Sequence, residues 1–498
     1  MRWASRHIIE ILVIVLIACL VTGVALFLLN ANRDYHINSG FRSLSLNFDP
    51  NTNTSTYTWD NTKVTVKGAF IKGLQRTSAG TDALVIRALS PLPSIDIAPG
   101  TASNKSLSLM LENIDPDYYA KMIGPAQAST RITVNTLRFD LDLSGTEIVK
   151  IAPGEPSAAD SSRYVVMGDN RDGYDTFDTI IAQVDTIKPL FVIDNGDLVF
   201  SGKPNQYRLF DHTVSGISTT LCTTLGNHDI RADGRALYTK LYGPAYYSFD
   251  FGKSHFVFLD SSPGWTQEQA ISEAQYSWLA SDLHKAQGKD IFVVTHVPPV
   301  DPRTGITTND LPSYVDKLKT DKGAIETLLD RYEENQKLDH GFPNKQEASR
   351  FESLVASAGV DTVYCSHVHS YFDYQQDGVR YVISGGAGAE LLTEGSYYHY
   401  LIAKTGDPTL TIVQTPTPPN TLVARYGATA LLFAKALYEE NRAAVIFFLI
   451  GVALLVILLL LLMGLRLRRS RLWVLGQATA KSFAQNWRVL FPKKDRST

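Results

Sequence analysis

The segment VVMGDNRDG, Val165–Gly173, runs from apolar residues directly into Gly-Asp and a cluster of charged side chains. A continuous apolar run of this kind is typical of a strand that is buried on both faces. Asp, Asn and Gly tolerate the dihedral angles of turns, so a single strand that ends in this way is explained by an ordinary turn. A functional site at the end of the strand is the alternative, and it predicts that the pattern recurs along the chain.

The pattern does recur, because further apolar runs after residue 160 end in residues that can ligate a metal ion. These residues are Asp169 in GDNR, Asp197 in NGDL, Asn227, His228 and Asp229 in GNHD, His296 in VVTHVPP, and His367 and His369 in CSHVHS. Helix-like stretches such as QYSWLASDLHKA separate the runs, which predicts a layered α/β domain. In such folds the strand ends meet at one edge, so we expect these side chains to lie together.

Each motif alone is weak, but their order along the chain resembles the calcineurin-like metallophosphoesterase family, which includes the purple acid phosphatases. That family carries D-x-H, GD, GNH[DE], a strand ending in His, and GHxH. The corresponding segments here are DNR at 169–171, GD at 196–197, GNHD at 226–229, His296, and SHVH at 366–369. The resemblance covers about half of the chain, residues 163–415, and implies an α/β fold in which a two-layered β-sandwich is flanked by helices.

The resemblance implies a metal-dependent phosphoesterase that hydrolyses a phosphomonoester or phosphodiester by attack of a metal-bound hydroxide. A carboxylate is the natural bridge between two divalent ions that clamp a phosphoryl group, and we assign this bridge to Asp197. The resemblance distributes the other ligands between two positions, with Asp169 and His369 at the first and Asn227, His296 and His367 at the second. Imidazole, carboxylate and amide ligands together suit one or two ions of manganese, iron or zinc.

The residues after Asn227 are expected to act on the substrate. By resemblance, His228 faces the phosphate and protonates the leaving oxygen, and Asp229 is a candidate partner that fixes the His228 ring. The first motif departs from the family, because Arg171 stands where D-x-H has its second His. An arginine offers only donors and stays protonated, so it cannot ligate a metal.

The purple acid phosphatases also lack this His and supply a Tyr three residues after the second-motif Asp, where this chain has Phe200. Two explanations remain open. Either Asn170, Asp172 or water completes the metal shell, or this position binds metal weakly and Arg171 grips phosphate with its planar guanidinium. The departure also favours an alternative function, a degenerate ectodomain that keeps the fold for binding or sensing.

The composition excludes some classes of protein. The 498 residues contain 47 Lys and Arg against 50 Asp and Glu, which does not indicate nucleic-acid binding by bulk charge. Three cysteines are too few for a disulfide framework and match no zinc-ribbon spacing. The resemblance implies a phosphate ester as the substrate, and two apolar segments indicate a membrane as a partner, while the substrate's identity and any protein partners stay open.

Two apolar segments predict helices that span a membrane. Ile8–Leu29 contains one charge, Glu10, and is interpreted as a signal anchor, with a cleaved signal peptide as the alternative. Ala443–Leu465 contains no charge. Basic residues precede the first segment and follow the second, so both termini are predicted to be cytoplasmic and the catalytic domain extracytoplasmic at the cell membrane.

The predicted organisation follows from these boundaries. TLRFDLDLSG alternates apolar and polar residues, as expected for an accessory β-sandwich. The order is a cytoplasmic N-terminus (1–7), a signal anchor (8–29), a β-rich domain (30–160), a metallophosphoesterase domain (161–415), a linker and helix (416–442), a second transmembrane helix (443–465) and a basic cytoplasmic tail (466–498). The tail suits an anionic membrane surface or a solvated extension equally well.

Overall fold

The structure is a computed structural model of the chain. It describes residues 2–31, 41–77, 80–100, 106–125, 128–143, 147–156, 163–262, 269–303, 339–392, 395–416, 422–440 and 442–490. Tyr35–Phe433 form one compact unit, and Met1–Asp34 with Ala434–Thr498 form another. The predicted PTPPN linker falls almost entirely outside the described residues.

Helices occur in both units. The described helices are α1 (Arg2–Ala31), α2 (Pro116–Ile123), α3 (Tyr174–Ile187), α4 (Pro204–Val214), α5 (Gly234–Leu241), α6 (Glu273–Lys285), α7 (Lys345–Ser357), α8 (Leu422–Glu440) and α9 (Arg442–Leu490). Helices α6 and α7 begin at side-chain caps, because Ser272 accepts from the Gln275 amide and Asn344 from the Gln346 amide. These caps satisfy amide groups that the first helical turn leaves without a partner.

The N-terminal part of the larger unit is built from two sheets. Their strands are β1 (Phe41–Ser43), β2 (Phe48–Asp49), β3 (Thr54–Trp59), β4 (Thr62–Lys67), β5 (Ala69–Arg76), β6 (Asp82–Ala88), β7 (Ser94–Ala98), β8 (Ser106–Glu112), β9 (Thr130–Thr133), β10 (Thr136–Asp142) and β11 (Val149–Ile151). The first sheet has the order β1-β5-β6-β8-β10-β9, and the second β11-β7-β4-β3-β2. Alternate residues such as Val64 and Val66 of β4 and Leu109 of β8 contribute to one shared apolar core.

The second part of the same unit contains two mixed sheets that carry the site. Their strands are β12 (Arg163–Met167), β13 (Phe191–Asp194), β14 (Thr220–Thr223), β15 (Tyr247–Phe251), β16 (Ser254–Leu259), β17 (Asp290–Thr295), β18 (Thr362–Cys365), β19 (Tyr371–Gln376), β20 (Val379–Ser384), β21 (His399–Lys404) and β22 (Asp407–Gln414). The third sheet has the order β14-β13-β12-β21-β22, and the fourth β15-β16-β17-β18-β20-β19.

The third and fourth sheets pack against each other through an aromatic-rich core. Val166, Ile193 and Phe256 belong to this core. Their neighbours point to the opposite faces because side chains alternate along a strand. On those outer faces the third sheet packs with α3, α4 and α5, and the fourth with α6 and α7. The predicted mixed α/β fold with several sheets is therefore confirmed.

The structure contains a candidate for one of the two predicted membrane spans. Within the described residues, Arg442–Met463 is one helical segment long and apolar enough to cross a membrane, with 22 residues and a mean hydropathy of 3.5. Ile11–Leu26 of α1 is a shorter apolar helical stretch among the described residues. The described residues thus contain one candidate span, and the second predicted span is not established.

Candidate metal centre

The predicted site residues follow the carboxyl ends of parallel strands in the third and fourth sheets. Asp169 and Asp197 follow β12 and β13, which pair in parallel. His367 follows β18, which pairs in parallel with β17. The backbone turns sharply at these ends, because φ is 58° at Asp169, 56° at Asp197, 69° at His367 and 50° at His369. Left-handed conformations at non-glycine residues are strained and cluster at functional sites.

These turns bring five predicted ligands into two groups that share one carboxylate. Asp169, Asp197 and His369 form the first group, and Asp197, His296 and His367 form the second. Within each group the candidate ligand atoms lie within 4.8 Å of one another. We call these groups the first and the second metal position. The shared member is Asp197, the residue that the sequence argument placed between the ions.

The second position combines two imidazole rings with one carboxylate. The Asn195 carbonyl accepts from Nδ1 of His296 at 2.8 Å, so the lone pair of the ring is on Nε2. That Nε2 lies 3.4 Å from Oδ1 of Asp197 and 3.3 Å from Oδ1 of Asn227, the sixth predicted ligand. The His367 ring lies 5.1 Å from the His296 ring. Metal-binding histidines commonly donate their other ring N–H to a carbonyl in this way, which fixes the imidazole tautomer.

The first position is more acidic. The Glu390 carbonyl accepts from Nδ1 of His369 at 2.6 Å, and Nε2 of this ring lies 3.6 Å from Oδ1 of Asp169. Oδ1 of Asp169 and Oδ2 of Asp197 are buried without a hydrogen-bond partner among the described residues. Buried carboxylate oxygens require a cation or donors, so these residues fit a positive ion.

The ionisation of these groups is consistent with metal binding. Burial raises the pKa of Asp169 well above its usual value, and the Asp197 charge raises it further, so a cation is needed to keep Asp169 ionised. Burial also lowers the pKa of His367 and His369 well below the usual histidine value. Both rings are therefore neutral at pH 7, which is the form that binds a metal ion.

Arg171 lies inside the site and not at its rim. Its side chain is 5% exposed, and Nη2 donates to Oε1 of Glu390 at 2.7 Å. Nη2 also lies 3.2 Å from Nε2 of His369, and Nη1 lies 2.8 Å from Nε2 of His228. The guanidinium carbon lies 5.6 Å from the centre of the Phe200 ring. Arg171 thus connects the first metal position to the predicted proton donor.

The environment of His228 corrects one detail of the prediction. The Phe200 carbonyl, and not Asp229, accepts from Nδ1 of His228, at 2.6 Å. The Asp229 carboxylate instead accepts from the backbone amides of Val199, in the segment after β13, and Gly226, in the turn after β14. Burial, together with nearby guanidinium groups, lowers the pKa of His228 to about 4, so its ring is neutral at pH 7.

Two further residues of the site were missed by sequence reasoning. Arg231 lies three residues after His228, and its Nη2 is 2.9 Å from Nε2 of that ring. Glu390 lies in the GGAGAE segment after β20 and contacts both Arg171 and His369. A glycine-rich segment directly after a buried strand was the available signal for Glu390. For Arg231, the available signal was its closeness in sequence to the GNHD motif.

Comparison with known proteins agrees with the motif order. Residues 162–371 match the profile of a family described as calcineurin-like phosphoesterase. A probable glycerophosphodiester phosphodiesterase from Arcobacter nitrofigilis is 25% identical over 179 residues, which are 34% of this chain and 61% of that protein. The chain therefore spans less than two thirds of the length of this relative.

Two solved structures are also similar. A purple acid phosphatase from yellow lupin (Lupinus luteus) seeds is 14% identical with a TM-score of 0.37, over 74% of this chain and 72% of that chain. A dimetal phosphatase from Danio rerio is 11% identical with a TM-score of 0.35, over 52% of this chain and all of that chain. Given the family match and the motifs within it, residues 162–371 of this chain are a calcineurin-like phosphoesterase domain.

Proposed function

We propose that this protein is a membrane-anchored, metal-dependent hydrolase of phosphate esters. The observation that carries the proposal is the position of Asp197, which belongs to both buried ligand groups. A shared carboxylate between two such groups suits a centre that acts on both the attacking and the leaving oxygen of a phosphoryl group. The apolar segment Arg442–Met463 is the proposed anchor.

The residues of these positions would hold one or two ions of manganese, iron or zinc. When bound, these ions supply a nucleophilic water at neutral pH and neutralise the phosphoryl oxygens. The carbonyls of Asn195 and Glu390 orient the His296 and His369 rings for this binding. Gly226 allows the close approach of two strand ends, because a Cβ atom there would collide with the Asp197 amide and carboxylate.

Arg171, Arg231 and His228 would bind and protonate the ester. Both guanidinium groups reach Nε2 of His228, so their donors and this nitrogen converge on one point. Guanidinium groups bind phosphate oxygens with paired hydrogen bonds. The negative charge of a bound ester opposes the effect of both arginines on His228, so that Nε2 takes up a proton and delivers it to the leaving oxygen. Asp229 supports this arrangement only indirectly, by shaping the turn.

A binding or sensing ectodomain is the second candidate function. The observation that favours it is Arg171, whose guanidinium lies within hydrogen-bonding distance of the predicted ligand His369. This candidate predicts that the protein binds phosphate esters without turnover. The proposed location, with an extracytoplasmic domain and cytoplasmic termini, is the same for both functions.

The test is a substrate panel on the full chain in detergent, run with manganese and again with a chelator. The panel contains nitrophenyl phosphate, bis-nitrophenyl phosphate and a glycerophosphodiester. The last is included because the similar protein from Arcobacter nitrofigilis is a probable glycerophosphodiester phosphodiesterase. We expect turnover that the chelator abolishes, and binding without turnover would favour the second candidate. His228→Ala should lower the rate of hydrolysis of alkyl esters by about 10²–10⁴-fold, the usual effect of a positioned acid. The rate for nitrophenyl esters should fall much less.

The matched control is the exposed histidine of α6, His284→Ala, which should leave all rates unchanged. Equal losses for good and poor leaving groups in His228→Ala would contradict the role of proton donor, since a good leaving group needs no proton.

A further inference from the structure

The first metal position already contains a positive charge that belongs to the protein. Arg171 donates from Nη2 to Oε1 of Glu390 at 2.7 Å, and its Nε lies 3.8 Å from Oδ2 of Asp197. An arginine side chain stays protonated in proteins, so the guanidinium is charged beside the carboxylates of this position.

Arg171 and a metal ion would compete for the same lone pair. Nδ1 of His369 carries its proton, because the Glu390 carbonyl accepts from it at 2.6 Å. The remaining lone pair is on Nε2, and Nη2 of Arg171 lies 3.2 Å from this atom. A zinc ion would need the same lone pair at about 2.0–2.1 Å. The guanidinium in its observed position and a metal ion thus exclude each other at His369.

Glu390 controls both partners in this competition. Its carboxylate holds the Arg171 guanidinium, and its carbonyl orients the His369 ring. Its side chain is 35% exposed, whereas that of Arg171 is 5% exposed, so Glu390 is the more solvent-accessible member of this ion pair. If Arg171 lost its charge, the Glu390 carboxylate would be released beside His369 as an additional oxygen ligand.

We propose that the Arg171–Glu390 pair takes the place of a metal ion at the first position, and that Glu390 is the positioning residue of this pair. The guanidinium balances the charge of Asp197, which lies 3.8 Å from its Nε, so the protein holds one divalent ion, at the second position. The pair also conceals a second cation site made of Asp169, Asp197, His369 and Glu390. This inference rests on the proposed metal centre but does not require turnover.

The test measures the metal content of the full chain in detergent after dialysis against manganese, together with manganese EPR. The variants are Arg171→Met, which keeps an unbranched side chain without the charge, Glu390→Gln, and the double variant. We expect about one ion per chain in the unmodified protein and in Glu390→Gln. Arg171→Met should bind about two, with an exchange-coupled spectrum because Asp197 would bridge them. In the double variant the second ion should bind at least about tenfold more weakly than in Arg171→Met.

Arg171→Lys is the control for folding, because it keeps a positive charge and should retain about one ion. Two tightly bound ions in the unmodified protein would overturn the inference, as would one ion in Arg171→Met or equal second-ion affinities in Arg171→Met and the double variant. If turnover is absent but the metal contents follow the expected order, the inference stands and the proposed hydrolase does not. If no variant binds metal, both are overturned.

Discussion

The two metal positions share Asp197 and contain the same kinds of ligand, yet their surroundings differ. Nε2 of His296, at the second position, faces the neutral Asn227 amide at 3.3 Å. Nε2 of His369, at the first position, faces the Arg171 guanidinium at 3.2 Å. On the proposal above, ligand identity alone does not decide whether a position binds a metal ion. A fixed positive charge next to the lone pair of a ligand lowers the affinity of that position for a cation.

The largest effect is expected where the two positions meet. Asp197→Asn should weaken metal binding at the second position and reduce turnover by more than about 10²-fold, because the loss of residues that only support the ligands already costs 10–100-fold in affinity. Metal analysis and the rate of nitrophenyl phosphate hydrolysis measure these effects. Asp194→Asn is the matched control, because Asp194 is an equally buried carboxylic acid that belongs to neither ligand group. Retained metal in Asp197→Asn would contradict the shared role.

Single substitutions at the two histidines test the comparison directly. His296→Ala should release the resident ion, with affinity reduced by at least about 10–100-fold. His369→Ala should leave the ion content unchanged, because the first position already contains a guanidinium. Calorimetric titration with manganese measures both. Equal losses in the two variants would show that both positions bind metal equally and would remove the difference between them.

A smaller effect is expected from the cations around His228. Arg231→Gln should raise KM by roughly tenfold with little change in kcat, because it removes a charge-assisted contact to phosphate worth about 1.5–3 kcal/mol. Steady-state kinetics on a phosphomonoester measure the change. Arg350→Gln, which removes an exposed pair with Glu273 outside the site, should leave KM unaltered. A fall in kcat with constant KM would instead assign Arg231 to the transition state.

The smallest effect is expected at His255, a structural histidine outside the metal centre, and it concerns the pH dependence of stability. His255 lies between Asp250 at 2.7 Å and Asp282 at 3.0 Å. Burial lowers the pKa of His255, but these carboxylates raise it overall above 6.5. A raised pKa in the folded state stabilises the protein fully below the unfolded value, and the contribution is lost as the pH rises through the folded value.

The difference in stability between the unmodified protein and His255→Gln should therefore shrink from pH 5.5 to pH 8.5. We expect a change of about 0.5–1 kcal/mol, because Asp250 is half-exposed and solvent screens its charge. Thermal unfolding at both pH values measures it. A difference that grows with pH would have the wrong sign for a protonated His255.

Sequence reasoning anticipated the mixed α/β fold and the residues that would meet, but not all of their contacts. Apolar runs that end in ligand residues reveal strands and strand ends, and the strand ends of a layered fold share one edge. Of the two predicted spans, one has a candidate helix among the described residues, Arg442–Met463. Asp229 was the candidate partner of the His228 ring by resemblance to the family, whereas the Phe200 carbonyl occupies that place.

The amino-acid sequence by itself determined the ligand types, their order along the chain and the departure at Arg171. Only the tertiary structure decided what neutralises that arginine, because Glu390 is 219 residues away and reaches it from the end of a different sheet. The tautomer of His296 is likewise set by the Asn195 carbonyl, which is 101 residues away. Periodicity encodes which residues end a strand, but the partner across the sandwich depends on how the two sheets pack.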